Sequence, residues 1–294
     1  MPTRGPAQQT NPSSELLQYK EVDAAKNEED GGRSWHAACI GVAAAVLCAA
    51  VAAAVLAWLT IGRQPQDLSL FCFALMLSDS YEVSLLRGQF ELGAGIFGCD
   101  EQAVFSDAEV SLGSGSSGQV QVIPGPLRVG KDPRYNFALN TRVFLRVWDR
   151  VFAEGRFERC GWTVKADPDT VFLPGRLRQH LLQGPSPESA VSYVNCRLGL
   201  HGPLEVFSRA AVEALLPGLQ RCRRERAAGL DTEGEDMFLA RCMELLGVQQ
   251  IQDFGLLSEE ACMEQPFPCL SGKVAFHPLK EVGRYFQCLR QAER

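Results

Sequence analysis

The sequence predicts an α/β fold, a Rossmann-like mixed sheet with helices on both faces, preceded by one transmembrane helix. Three observations predict it. Residues 37–61 form a 25-residue run without a charged side chain, bounded by Arg33 and Arg63, and about 20 apolar helical residues suffice to span a bilayer core. Residues 68–77 are almost continuously apolar, as in a strand buried on both faces and expected in a parallel arrangement. A helical pattern and a second apolar stretch follow at the spacing of a strand, helix, strand unit.

Three segments result. Residues 1–35 are rich in Pro, Gln, Ser, Asn and acids with few large apolar side chains, a composition that predicts a disordered tail. Residues 36–62 form the signal anchor, because a cleaved signal peptide has a shorter apolar region, about 7–15 residues, and lies nearer the start of the chain. Residues 63–294 are the folded domain. Counting the tail's Arg4, Lys20, Lys26 and Arg33 as cytoplasmic places that domain in the lumen, a type II topology. A net charge of −6 without a sustained Lys/Arg run excludes nucleic acid as the main partner. Of 11 cysteines, Cys39 and Cys48 lie in the span. An oxidising lumen would pair several of the rest and leave at least one over. No C-x-x-C spacing suggests zinc, and Cys72 and Cys99, within predicted strands, read as small buried apolar residues.

Element by element, the strand at 68–77 is followed by Ser78, Asp79 and Ser80, which supply caps for a helix over 81–92 with Val83, Leu86 and Phe90 on one face. Residues 93–99 read as the second strand. The Gly/Ser stretch 113–118 is a flexible loop before a short strand at 120–123. Residues 140–154 carry a wide apolar stripe that includes Phe144, Val147, Trp148 and Val151. A strand at 161–166 ends in Asp167-Pro168-Asp169, and Pro174 opens a helix through 182. Short strands at 190–194 and 204–207 precede a helix capped by Ser208, and a further helix covers about 235–246.

Ligands of open α/β sheets gather at the carboxyl ends of strands. Asp167 and Asp169 stand there on either side of a rigid proline, and two hard oxygen ligands at i, i+2 suit Mn²⁺ or Mg²⁺ shared with a diphosphate. A solvated turn is the alternative reading of the same pair. Glu235 and Asp236 open a helix, where acids also complement the dipole. His277, between Phe276 and Pro278, fits a packed histidine as well as a ligand. His201 reads as a loop residue.

The segments KADPDTVFL at 165–173, LEVFSRAAV at 204–212, GEDMFLARCMELLG at 234–247 and FHPLK at 276–280 together resemble the fringe and core-1 β-1,3-galactosyltransferase group of glycosyltransferases, family 31 and its relatives. The resemblance is best over about 140–277. It implies a GT-A fold in a Golgi or ER membrane and an inverting, Mn²⁺-assisted transfer. A hexose or N-acetylhexosamine would pass from a nucleotide-sugar, UDP-linked, to a glycan, glycoprotein or glycolipid acceptor. It also implies that Asp167, Asp169 and His277 hold the metal and that Asp236, with Glu235 as substitute, is the catalytic base. Asp100 at the end of the expected second strand, Arg142 opposite the metal loop and Lys165 are the candidate nucleotide contacts. The chain departs from the pattern at 198–203, LGLHGP, where relatives carry a glycine-rich stretch lining the sugar site, and at Pro168, where an acid is common. Two other readings compete. One is a haloacid-dehalogenase-type phosphatase using Asp167 and Asp169; the other is a non-catalytic domain of the same fold that binds a glycan or a protein.

Overall fold

The computed structural model describes residue 51 and residues 66–114, 118–263 and 265–294. The expected tail and, apart from residue 51, the expected anchor lie outside the described residues. Among the described residues no helix is long and apolar enough to cross a membrane. Residues Gln66–Arg294 form one compact unit.

Strand β1 (Leu70–Met76) runs through the middle of a mixed sheet and accounts for the apolar run around it. Its alternate side chains enter different cores. Phe71 and Phe73 pack with Phe105, Trp148, Leu215 and Phe238 on one face, while Leu70, Cys72, Ala74 and Met76 pack with Leu86, Val164 and Leu177 on the other. All but half-buried Leu75 are buried, so a charge at any of those six positions would be taken out of water without a partner. Truncating Phe73, whose ring meets Trp148 edge to face at 5.4 Å, would cost about 3–5 kcal/mol.

The remaining strands are β2 (Glu101–Ser106), β3 (Gln121–Val122), β4 (Trp162–Ala166), β5 (Val171–Phe172), β6 (Val191–Val194), β7 (Leu204–Ser208), β8 (Gln249–Gln252), β9 (Leu257–Ser258) and β10 (Ala275–Phe276). Seven of them build the main sheet in the order β3-β2-β1-β4-β7-β6-β8. Only β7 runs against its neighbours, which makes the sheet mixed. A small second sheet has the order β5-β10-β9.

Helices α1 (Glu82–Leu92) and α3 (Pro174–Gln183) cover one face. On the other lie α2 (Thr141–Glu154), α4 (Arg209–Glu225) and α5 (Glu235–Leu245). Pro174 sits at the start of α3 as expected. Ser208 caps α4 by accepting from Ala211 N at 3.2 Å. Helix α6 (Val282–Ala292) closes a third apolar cluster around Tyr285, Val171 and Phe276.

Three expectations are corrected. Residues 93–99 are not a strand: Gly93 and Gly95 take φ of 60° and 59°, left-handed values that only glycine adopts without cost, and the chain turns through a short 3-10 helix, Gly95–Gly98. The true second strand begins after Asp100. Helix α1 begins one residue later than expected, with Tyr81 at its N-cap making no side-chain cap bond; the expected capping by Ser80 is present, its Oγ accepting from Glu82 N at 3.2 Å, and the Glu82 carboxylate accepts from Leu77 N at 2.7 Å. Finally, Cys72 and Cys99 are not separate apolar side chains, because the 3-10 turn brings their Cα atoms to 6.1 Å and they form a disulfide. Further bridges join Cys196 to Cys262, Cys222 to Cys242 and Cys269 to Cys288. Cys160 is buried and unpaired.

Candidate functional site

The end of β4 delivers Asp167, Pro168 and Asp169 onto a loop fixed from several sides. Asp167 N donates to Pro203 O at 3.1 Å and Leu279 N to Asp169 O at 2.9 Å. Gln89 Nε2 donates to Pro168 O at 2.9 Å. Asp167 O accepts from Thr170 N at 3.0 Å, so every carbonyl of the D-P-D turn is engaged, and both aspartates border a cleft of about 460 Å³ lined also by Leu77, Tyr81, Glu82, Lys131, His277 and Lys280.

Asp169 is almost fully buried. Its Oδ2 accepts from Tyr81 Oη at 2.9 Å, and its Oδ1 lies 3.3 Å from His277 Nε2. Burial pushes its pKa up, but His277, Tyr81 and Lys280 outweigh burial and hold it below the ordinary carboxylate value. Glu82, facing both aspartates, is pushed up to about 7, chiefly by burial.

The sequence-predicted trio Asp167, Asp169 and His277 is brought together, with one ligand atom from each within 4.8 Å of the others. Two oxygen donors and an imidazole suit Mn²⁺, and less well a wholly oxygen-liganded cation. The second nitrogen of His277, Nδ1, faces Glu259 Oε2 at 3.0 Å. A ligating histidine ordinarily directs its other nitrogen to a carboxylate in this way, so the residues fit a divalent cation.

His201, read from sequence as a loop residue, belongs to the same group. Its Nε2 lies 2.9 Å from Glu259 Oε2 and its Nδ1 lies 3.6 Å from Asp236 Oδ2. Without a cation, both imidazoles are held protonated against the effect of burial. His201 is pushed up to about 10 by Asp236 and Glu259, and His277 up to about 9 by Asp169 and Glu259. Between them Glu259 is held down to about 2, its two imidazolium neighbours overcoming burial. His201, Glu259 and Cys262 also lie close enough to suggest a second cation site, but Cys262 is bonded to Cys196 and offers no thiolate.

Glu235 and Asp236 open α5 but do different things. Glu235 Oε1 meets Lys165 Nζ at 2.7 Å, and the same buried amine meets Asp167 Oδ1 at 2.7 Å and donates to Gly202 O at 2.6 Å. Burial alone would lower the Lys165 pKa; Asp167, Glu235 and Glu205 instead raise it well above the ordinary value. Lys165 is thus committed to protein groups. Asp236 is the more open of the two acids. Its Oδ2 accepts from Gly202 N at 3.0 Å, and its Oδ1 accepts from Met237 N at 2.7 Å. Space at 202 is tight: a Cβ there would stand 3.0 Å from Glu235 Oε1, 3.4 Å from Lys165 Nζ and 3.5 Å from Asp236 Oδ2.

Two expected nucleotide contacts are not brought to this group. Asp100 precedes β2, at the amino ends of the parallel strands, where it accepts from Leu70 N at 2.8 Å and pairs with Arg178 at 2.7 Å. It was expected at a carboxyl end because 93–99 was read as the strand. Arg142 faces away from the aspartates, paired on the surface with Asp231 at 2.5 Å, beside a different cavity. Glu205, Glu259 and His201 are the residues sequence reasoning missed. Glu205 alone had a signal, an acid in the middle of an apolar strand.

No protein-family model and no curated protein matches the chain. Among solved structures, that of a glycosyltransferase involved in the glycosylation of the major capsid of PBCV-1 aligns with it at 10% identity. The alignment covers 75% of this chain and 98% of that one with a TM-score of 0.43, a likeness too distant to bear on activity.

Proposed function

We propose that the chain is a divalent-cation-dependent glycosyltransferase that moves a hexose or N-acetylhexosamine from a nucleotide-sugar, UDP-linked, to a glycan, glycoprotein or glycolipid hydroxyl with inversion. One observation carries this reading. Asp167, Asp169 and His277 converge at the carboxyl end of β4 beside an open cleft, and Asp236 is tied by way of Gly202 to the Lys165 that also holds Asp167.

Asp167, Asp169 and His277 would hold the cation, Mn²⁺ or Mg²⁺, which when bound supplies positive charge to a departing diphosphate. Lys165 neutralises Glu235 and the inner oxygen of Asp167, so Glu235 is spent as a structural acid. Asp236 remains ionised, because His201 and its bond from Met237 N outweigh burial and keep its pKa low. It is the carboxylate placed to take the acceptor hydroxyl's proton. A base distinct from the cation ligands suits a single displacement on the face opposite the leaving group. Tyr81 and Glu82 at the cleft wall, with Lys131 and Lys280, would meet the nucleotide in place of Asp100 and Arg142. Four disulfides among the described residues and the uncharged run 37–61 support a lumenal domain anchored in a Golgi or ER membrane.

The test is thermal stabilisation of the full-length protein by a panel of nucleotide-sugars, with and without Mn²⁺. A ligand bound only by the native state at 100 times its Kd adds about 2.7 kcal/mol. Stabilisation by one nucleotide class, dependent on Mn²⁺ and abolished by Asp169→Ala, is expected. No response to any nucleotide would overturn the reading, and release of phosphate from a generic ester would replace it with a phosphatase.

A further inference from the structure

Three buried polar atoms, His201 Nε2, Glu259 Oε2 and His277 Nδ1, have no aligned hydrogen-bond partner among the described residues. They converge on one another. Glu259 Oε2 lies 2.9 Å from His201 Nε2 and 3.0 Å from His277 Nδ1, so a single carboxylate oxygen is the common neighbour of both rings. Each imidazole then spans from Glu259 to a different carboxylate. His277 turns Nε2 towards Asp169 at 3.3 Å, and His201 turns Nδ1 towards Asp236 at 3.6 Å.

The surrounding chain holds this fork at a fixed width. Asn195 Oδ1 accepts from His201 N at 2.8 Å and Asn195 Nδ2 donates to His201 O at 2.9 Å. Cys196, the next residue, is bonded to Cys262, whose N donates to Glu259 O at 3.2 Å. The segments that carry His201 and Glu259 are therefore covalently joined. Two imidazoles sharing one buried carboxylate oxygen form a single polar network, in which a shift of any one member is felt by the other two.

We infer that Glu259 and His201 are positioning residues that couple the cation site to the base: Glu259 orients the ligand His277 and, through His201, the base Asp236. The inference rests on the glycosyltransferase reading and extends it. Occupancy of the cation site would set the ring of His277, hence Glu259, hence His201 and the carboxylate that receives the proton. A carboxylate behind a ligating histidine typically contributes 10–100-fold in cation affinity. Here the same oxygen would also serve the base.

The experiment compares the full-length protein with Glu259→Ala, Glu259→Gln and His201→Gln. It measures Mn²⁺ affinity by calorimetry, kcat and donor KM by transfer or donor hydrolysis, and melting temperature as a check on folding. Glu259→Ala is expected to weaken Mn²⁺ about 10-fold or more and to lower kcat. Glu259→Gln, which keeps an acceptor oxygen, should recover part of both. His201→Gln is expected to lower kcat about 10-fold or more with donor KM unchanged, an effect that a loss of packing alone would not confine to kcat. If the parent protein binds Mn²⁺ and donor but Glu259→Ala leaves Mn²⁺ affinity unchanged, or His201→Gln leaves kcat unchanged, the coupling is wrong and the functional reading stands. If the parent binds neither Mn²⁺ nor any nucleotide-sugar, both fall.

Discussion

Lys165 Nζ lies 2.7 Å from Glu235 Oε1, with the lysine only 1% exposed, and Lys165 also faces Glu205 across the β4–β7 pairing. A buried amine of this kind is tolerated because carboxylates surround it, and removing it strands them. Lys165→Met is therefore expected to cost about 3–5 kcal/mol, the usual penalty for taking one partner from a buried ion pair. Urea unfolding of the variant beside the parent measures it, and equal midpoints would show that the amine is dispensable.

Gly202 N donates to Asp236, and a Cβ at 202 would press on Glu235 Oε1 at 3.0 Å. Gly202→Ala should cost about 1–3 kcal/mol through overpacking and should displace Asp236. The expected kinetic result is a fall in kcat of about 10-fold or more with Mn²⁺ affinity retained, read from steady-state rates and a cation titration. Loss of Mn²⁺ affinity with kcat intact would reverse the roles given to the two ends of the site.

The Cys196–Cys262 bridge closes a loop with a sequence separation of 66. Replacing both cysteines by serine is expected to lower stability by about 2–5 kcal/mol. Because the bridge frames His201 and Glu259, kcat should drop more steeply on warming than in the parent, and a temperature series of initial rates tests this.

The two imidazoles also give stability a pH dependence in the cation-free protein. His201 is pushed up to about 10 from an ordinary 6.5. A raised pKa means that the folded state binds the proton more tightly, so this contribution is complete below pH 6.5 and is lost as pH rises through about 10. Melting temperature measured in a chelating buffer should fall between pH 7 and 10 more steeply for the parent than for His201→Gln. Parallel slopes would mean that His201 is not held charged.

Much of the fold was legible because it depends on local pattern. The apolar run at 68–77, Pro174 and Ser208 each carry their meaning within a few residues. Asp167 and Asp169 were legible for the same reason, since a strand end and a proline mark them. Asp100 was misplaced by one misread element: two glycines with left-handed φ turned an expected strand into a 3-10 helix, and the whole register of the second strand moved beyond it. Arg142 was expected opposite the metal loop, but nothing in its position in the sequence says which face of its helix it occupies, and it pairs with Asp231 instead. Glu259 and His201 are 58 residues apart, counted from their numbers, and no periodicity links them; the β6–β8 pairing and the Cys196–Cys262 bridge bring their segments together.

Cys160 brings a different consequence, for the assembly of the chain and not for its chemistry. In the finished domain its thiol is 2% exposed and burial pushes its pKa up to about 11, so the nucleophilic thiolate is scarce and out of reach. Before β4 joins the sheet neither protection exists, and the same sulfur competes for oxidation with the eight cysteines that form the bridges among the described residues. The odd cysteine is thus a hazard only during biosynthesis. A chain with Cys160→Ala should reach the four pairs seen among the described residues faster and with fewer scrambled isomers, while the folded product behaves as before.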